Sequence, residues 1–262
     1  MTRYVRLYLY FLRFSFSRAM EFRLDFFFRI VMDVVYYAIN LIFFAVIYRH
    51  TSALGGWDLD QIYVFVCGFL LVDAIHMTVF SNNMWWLPIF INKGDLDYYL
   101  VRPVSSLFFL SLRDFAANSF VNLLIAIGLL IWALARYPHP VSTSSLLVYC
   151  GFLLAGAVVY YLLHVSFLIP VFWIHSHRGL GELFFGLSKL MERPHQIYLG
   201  WVRVLLMTLL PFAVIASVPA HTLFEGLNLA HVVHVSLVIA GLFAFVVWFW
   251  NRGLAAYSSA SS

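Results

Sequence analysis

Asp73 and His76 stand one helical turn apart inside a long apolar run, IYVFVCGFLLVDAIHMTVF. Ionisable groups placed in hydrocarbon must find partners, line a water-filled path or carry protons. Asn118 and Asn122 repeat that spacing in a second apolar run, and His164 lies deep in a third. All five fit either a translocation path or hydrogen bonding between packed helices, because helix bundles use the same residue types for both. Asp25, Arg29 and Asp33 follow one another at i, i+4 and i+8 on one helix face, the spacing of a charge ladder. An ion-pair network that fixes this helix at headgroup depth is the simpler reading. His175, His177 and His195 invite a metal, yet none of them is four residues from another beside a Glu and no Cys accompanies them, so no metal site is assigned. Nor is there a Gly-x-Ser-x-Gly elbow or a His-Glu-x-x-His pair, which weighs against an intramembrane enzyme acting on lipid or peptide.

The elements that carry these residues are set by composition. Of 262 residues, 63% are hydrophobic and only 11% charged, with mean hydropathy +0.90, so the chain is an all-α integral membrane protein. At roughly 20 residues per crossing it holds about five to seven spans and no separate soluble domain, making residues 1–262 a single transmembrane domain. Six spans are expected, near 28–48, 61–81, 115–135, 146–174, 201–218 and 232–250. Residues 2–23 alternate Arg with aromatics and Leu, the pattern of an amphipathic helix lying in the interface. Residues 175–196 read as a second amphipathic segment, on the cytoplasmic side. The stretch 219–231, PAHTLFEGLNLAH, is too apolar for a solvated loop and suits a re-entrant external segment broken at Pro219 and Gly226.

With both termini cytoplasmic, fourteen of the sixteen Lys and Arg fall inside and only Arg49 and Arg136 outside. The net charge of +4 is therefore a matter of topology and gives no reason to expect nucleic acid. Cys67 and Cys150 both lie in apolar runs, so neither a disulfide nor a metal is indicated.

Residues 92–105, NKGDLDYYLVRPVS, are the polar exception, inside a cytoplasmic connection covering 84–105. Gly94 can end the preceding helix and Asp95 can cap the next. Asp95 and Asp97 suit its N-terminal dipole, Arg102 its C-terminal one, and Pro103 stops it. Leu96, Tyr99, Leu100 and Pro103 recur at three and four, so one face rests on the membrane domain while Asp95, Asp97, Tyr98 and Arg102 face the cytosol.

This segment resembles the one that permeases of the ABC-2 family carry between their second and third spans. RPHQIYLGWVRVLLMTLLPFAVIASVPA (193–220) and GLAAYSSAS (253–261) resemble that family too, specifically its small six-span branch. The resemblance implies a type-2 ABC exporter-like fold and a permease subunit in the bacterial cytoplasmic membrane. It further implies a separate cytosolic ABC ATPase carrying ATP and Mg, and a second permease chain, identical or related, amid membrane lipids. It makes the helix of about 95–102 the coupling helix, with Gly94, Asp95, Leu96, Asp97, Tyr98, Tyr99, Arg102 and Pro103 as the ATPase-coupling residues. The chain has no Gly-rich phosphate loop ending in Lys-Ser or Lys-Thr, which agrees with nucleotide binding on a partner. IFIN before Lys93 is less charged than the same place in larger members of the family. A membrane scaffold that binds a cytosolic partner without transport is the other class open to this pattern.

Overall fold

The computed structural model describes residues 2–19, 23–175 and 177–257, and the regular elements among them are helical. Helix α1 (Thr2–Ala19) lies against α6 (Ser106–Leu112), with Tyr4 and Phe11 edge-on to Phe108 and Phe109 at 4.7 and 5.1 Å. Val5, Leu9, Tyr10 and Phe14 remain exposed, as they do on an amphipathic helix that packs on the protein along part of its surface. Helix α2 (Arg23–Ile47) follows, and α3 (Leu59–His76) opens on a capping box. There Asp58 accepts from the Gln61 amide at 2.8 Å, and the Gln61 side chain accepts from the Asp58 amide at 2.9 Å. A π-helical stretch, Met77–Ser81, joins α3 to α4 (Asn82–Lys93) without interruption, so Leu59–Lys93 is one rod of 35 residues.

Beyond the short α5 (Asp97–Leu100) run α7 (Ala117–Arg136), α8 (Thr143–Leu168), α9 (Val171–Ile174) and α10 (His177–Ser188). The chain then forms α11 (Gly200–Met207), α12 (Ala213–Glu225) and α13 (Leu229–Ala256). Among the described residues, five stretches are long and apolar enough to cross a membrane: Phe26–Ile47, Leu59–Lys93, Ser119–Arg136, Thr143–Ile174 and Leu229–Ala256.

Contacts define the two ends of the bundle. At one end Trp57 packs edge-on to Phe224 at 5.3 Å, Phe224 meets Tyr137 at 5.4 Å, and Arg136 pairs with Asp60 at 3.1 Å. At the other end Asn92 donates to the His175 carbonyl at 3.1 Å and Trp250 donates to Ser106 at 3.1 Å. Residues 175–197 connect the two: His175 lies beside Asn92, Tyr36 reaches Glu192 at 3.4 Å, and Gln196 stands against Gly55. The amphipathic segment expected on the cytoplasmic side thus runs from the Asn92 end of the bundle to the Trp57 end, and Ser188, Lys189 and Glu192 line a cavity on the way.

The span expected at 201–218 is divided. Helix α11 stops at Met207, Pro211 sits in the turn, and α12 restarts at Ala213. A proline has no N–H to donate and disfavours helical backbone in the residue before it, which accounts for the break. The turn lies deep, with Phe212 ringed against Phe184 at 6.5 Å, while the far end of α12 returns to Trp57. Helices α11 and α12 therefore form a hairpin entering from the Trp57 end. Residues 219–231 comprise the second half of α12, the Gly226 turn (φ 91°) and the start of α13.

Within α12, Pro219 cannot donate to the Ile215 carbonyl four residues back. That oxygen is packed against Gly156 of α8, where a Cβ would overlap it and stand 2.9 and 3.0 Å from the Ile215 carbonyl carbon and Cα. The glycine lets the two backbones touch, as small residues do at helix interfaces in membranes.

A polar joint ties α1, α4 and the α6–α7 link. Buried Asn83 accepts from the Asp114 amide at 2.9 Å and donates to its carbonyl at 2.7 Å, while Asn82 donates to the Asp114 carboxylate at 2.8 Å. Ser15 of α1 accepts from the Phe115 amide at 3.0 Å. Replacing Asn83 with Ala removes two hydrogen bonds to buried backbone, so Asn83→Ala is expected to cost about 2–4 kcal/mol. A melting curve of the purified chain in detergent measures it, and an unchanged midpoint refutes the joint.

Candidate functional site

A cavity of about 290 Å³ lies among α2, α3, α7, α8 and the 185–192 stretch. Three carboxylates reach it from three elements: Asp33 on α2, Asp73 on α3 and Glu192 beyond α10. Helical periodicity explains the convergence of Asp33, Tyr36 and Tyr37 on one side of α2, and of Phe69, Asp73 and Met77 on one side of α3. Asp33 accepts a hydrogen bond from Asn122 of α7, and Asp73 accepts one from Tyr160 of α8 at 3.4 Å. Glu192 accepts from Tyr36 and lies 3.8 Å from Arg193, whose guanidinium sits 4.2 Å over the Phe43 ring. Lys189 also lines the cavity, and its own surface is exposed.

The expected path residues separate into two groups. Asp73 and Asn122 line the cavity, whereas His76 and His164 turn into the core, both buried, with Nε2 of His76 3.0 Å from Nδ1 of His164. His164 stacks on Phe184 at 4.3 Å and His76 meets the Tyr160 ring at 4.0 Å, so Tyr160 touches both groups. Asn118 is in the first turn of α7 and Asp25 in that of α2, but their side chains lie outside the described residues. Arg29 precedes Asp33 by one turn of α2. His195 bonds Ser217 at 2.6 Å, far along the chain from the αL turn that holds His175, while the side chain of His177 lies outside the described residues.

The second locus is the turn after α4. Gly94 takes φ 82°, the left-handed C-cap geometry that glycine adopts without strain. Backbone bonds then wind residues 94–102 into about two turns, from Asp97 N to Gly94 O at 3.3 Å through Arg102 N to Tyr99 O at 3.5 Å. Asp95 differs from its expected role: Leu96 occupies the N-cap position, and no side chain caps α5. Leu96 is fully buried and Tyr99 packs on Phe90 and Phe109 at 5.4 and 5.6 Å, while Tyr98 and Val101 are 65% and 82% exposed, so the turn is anchored on one side and presents a ridge on the other.

Arg102 does not project freely either. Its guanidinium lies 4.7 Å over the rings of both Tyr98 and Phe109, a cation–π sandwich. Arg113 bonds the Tyr99 hydroxyl and lies 4.6 Å over Phe90. Tyr257, just past α13, packs beside Asp97; burial first and the carboxylate second push its phenol above the ordinary range. The residue that follows α13 thus closes onto the turn.

Residues 34–261 match the family model described as ABC-2 family transporter protein. The chain belongs to the ABC-2 transporter family. It is accordingly a permease subunit of an ABC transporter and a multi-pass helical membrane protein, a membership that implies an ABC ATPase partner. The match begins inside α2 of this ABC-2 permease and leaves α1 outside it. Comparison with curated proteins and with solved structures gave no match.

Sequence reasoning missed Glu192 and Lys189, whose charges suggested a cytosolic surface. It missed Asn82 and Asn83 too, although an adjacent amide pair before an apolar helix was a readable sign of a buried joint.

Proposed function

We propose that this ABC-2 permease subunit exports its substrate across a bacterial cytoplasmic membrane, driven by a separate ATPase that docks on the 94–102 turn and carries ATP and Mg. The observation that carries this reading is the turn itself: anchored by Leu96, exposed at Tyr98 and Val101, and set at the end of the 35-residue rod. Nucleotide-driven closure of the ATPase then moves the rod and its neighbours. The five apolar stretches and the 177–197 crossing make six spans, with α1 in the interface and both termini cytosolic. The α11–α12 hairpin enters from outside. Lys189, Arg193 and Arg203 leave the cytosolic tally in this arrangement, and eleven of the sixteen basic residues remain there. A second permease chain completes the path against the least covered spans, α2 and α13, of which 17% and 11% are buried within this chain.

The decisive experiment is reconstitution. Hydrolysis of ATP and vesicle flux must require both this chain and its ATPase, and turnover of lipid or peptide by the chain alone would replace the proposal with an intramembrane enzyme. A complex with ATPase but no flux of any probe would support the scaffold.

The cavity is the polar part of the path in this reading. Asp73→Asn keeps an acceptor for the Tyr160 hydrogen bond and removes the ionisable carboxyl, so it is expected to lower vesicle flux at least about tenfold, the effect of losing roughly 1.4 kcal/mol. The size-exclusion profile should stay unchanged. Wild-type flux would assign Asp73 to packing.

A further inference from the structure

We propose that the pocket between α1 and the end of the 94–102 turn holds the phosphate of an anionic phospholipid. The pocket encloses about 580 Å³, and Arg6 of α1 and Arg102 of the turn both open into it. Leu7, Tyr10, Pro103 and Phe109 supply most of the remaining wall, and no carboxylate lines it. Among the described residues neither guanidinium has a recorded carboxylate partner.

Two guanidiniums brought together from distant parts of the chain without an acid between them suit one phosphate, which accepts from paired N–H donors. Arg102 is held in place: the Tyr98 and Phe109 rings clamp it at 4.7 Å each, so its donors are set before a ligand arrives. The apolar wall argues for a lipid over a soluble anion. So does the neighbouring surface of α1, where Leu9 and Phe14 are exposed and acyl chains would cover them. Occupancy would join α1 to the turn by a charge bridge, and this binding stands whether or not an ATPase docks there.

The test uses the full chain in neutral detergent, titrated separately with phosphatidylglycerol and phosphatidylcholine, with bound lipid counted by native mass spectrometry. Phosphatidylglycerol is expected to bind at least tenfold more tightly. Arg6→Gln with Arg102→Gln should weaken it about twenty-five-fold, from roughly fivefold per cation near the headgroups. Arg13→Gln, an exposed α1 change away from the pocket, should alter it less than twofold. Equal retention of both lipids, an undiminished affinity in the double variant, or an equal loss in Arg13→Gln overturns the site. Displacement by excess inorganic phosphate overturns the lipid assignment in favour of a soluble phosphate. Arg6→Gln alone, on an exposed helix face, serves if the double variant does not fold, and it should then lose about fivefold.

Discussion

Tyr98→Ala combined with Val101→Asp is expected to weaken association with the ATPase subunit by about thirtyfold, the effect of losing roughly 2 kcal/mol from an interface centre. Both side chains are exposed in the isolated chain, at 65% and 82%, and Tyr98→Ala gives up only its ring contacts with Arg102 and Tyr99, so the melting temperature should fall little while copurification and stimulated ATP hydrolysis fall sharply. Val101→Asp adds a charge that must be desolvated against a partner, whereas Tyr98→Ala removes an aromatic anchor. Arg102→Glu is a poorer probe, because it also empties the space between the Tyr98 and Phe109 rings and so changes the chain's own packing. Wild-type association of the Tyr98/Val101 pair would remove the ridge from the docking surface.

Gly156→Val is expected to cause the largest loss of stability of any single change considered. The new Cβ meets backbone, the carbonyl of Ile215, and backbone cannot swing aside as the end of a side chain can. A loss of at least about 4 kcal/mol, or failure to recover folded chain, should follow, the range reserved for severe lesions in a core. Gly128→Ala on α7 provides the control. Nothing lies within 4 Å of its Cβ position, so it should be neutral or gain up to about 1 kcal/mol from helix propensity. A Gly156→Val protein melting with the wild type would mean that α12 does not lie against α8.

The contrast between these sites shows what could be read from residues alone. Gly94 was legible because a left-handed cap is a local demand of the backbone, satisfied by the residue that lacks a Cβ. The five long apolar stretches were legible because hydrocarbon selects them residue by residue. Residues 177–197 were not, since hydropathy averages a segment whose charges, Glu192 and Lys189, face a cavity built by other helices. The division at Pro211 was written in the sequence, but TLLPFAVIASVPA is apolar on both sides of the proline and imitates one continuous span. Gly156 carried no sign at all, because its demand comes from a carbonyl about sixty positions away in the chain.

The rod formed by α3, the π-helical stretch and α4 also has a mechanical meaning. At 1.5 Å per residue its 35 residues extend about 50 Å, some 20 Å more than the hydrocarbon thickness. Under the docking proposed above, the wider π coil at Met77–Ser81, just past the midpoint, would act as the fulcrum of this lever. From there to Lys93 the short arm is about 20 Å, so a tilt of roughly 10° at the fulcrum carries its tip through about 3–4 Å. Asn83 lies just beyond the π coil and joins the arm to Asp114 ahead of α7, so under that docking a stroke at the tip would be handed sideways into the neighbouring helix, upstream of the bend that Pro88 permits.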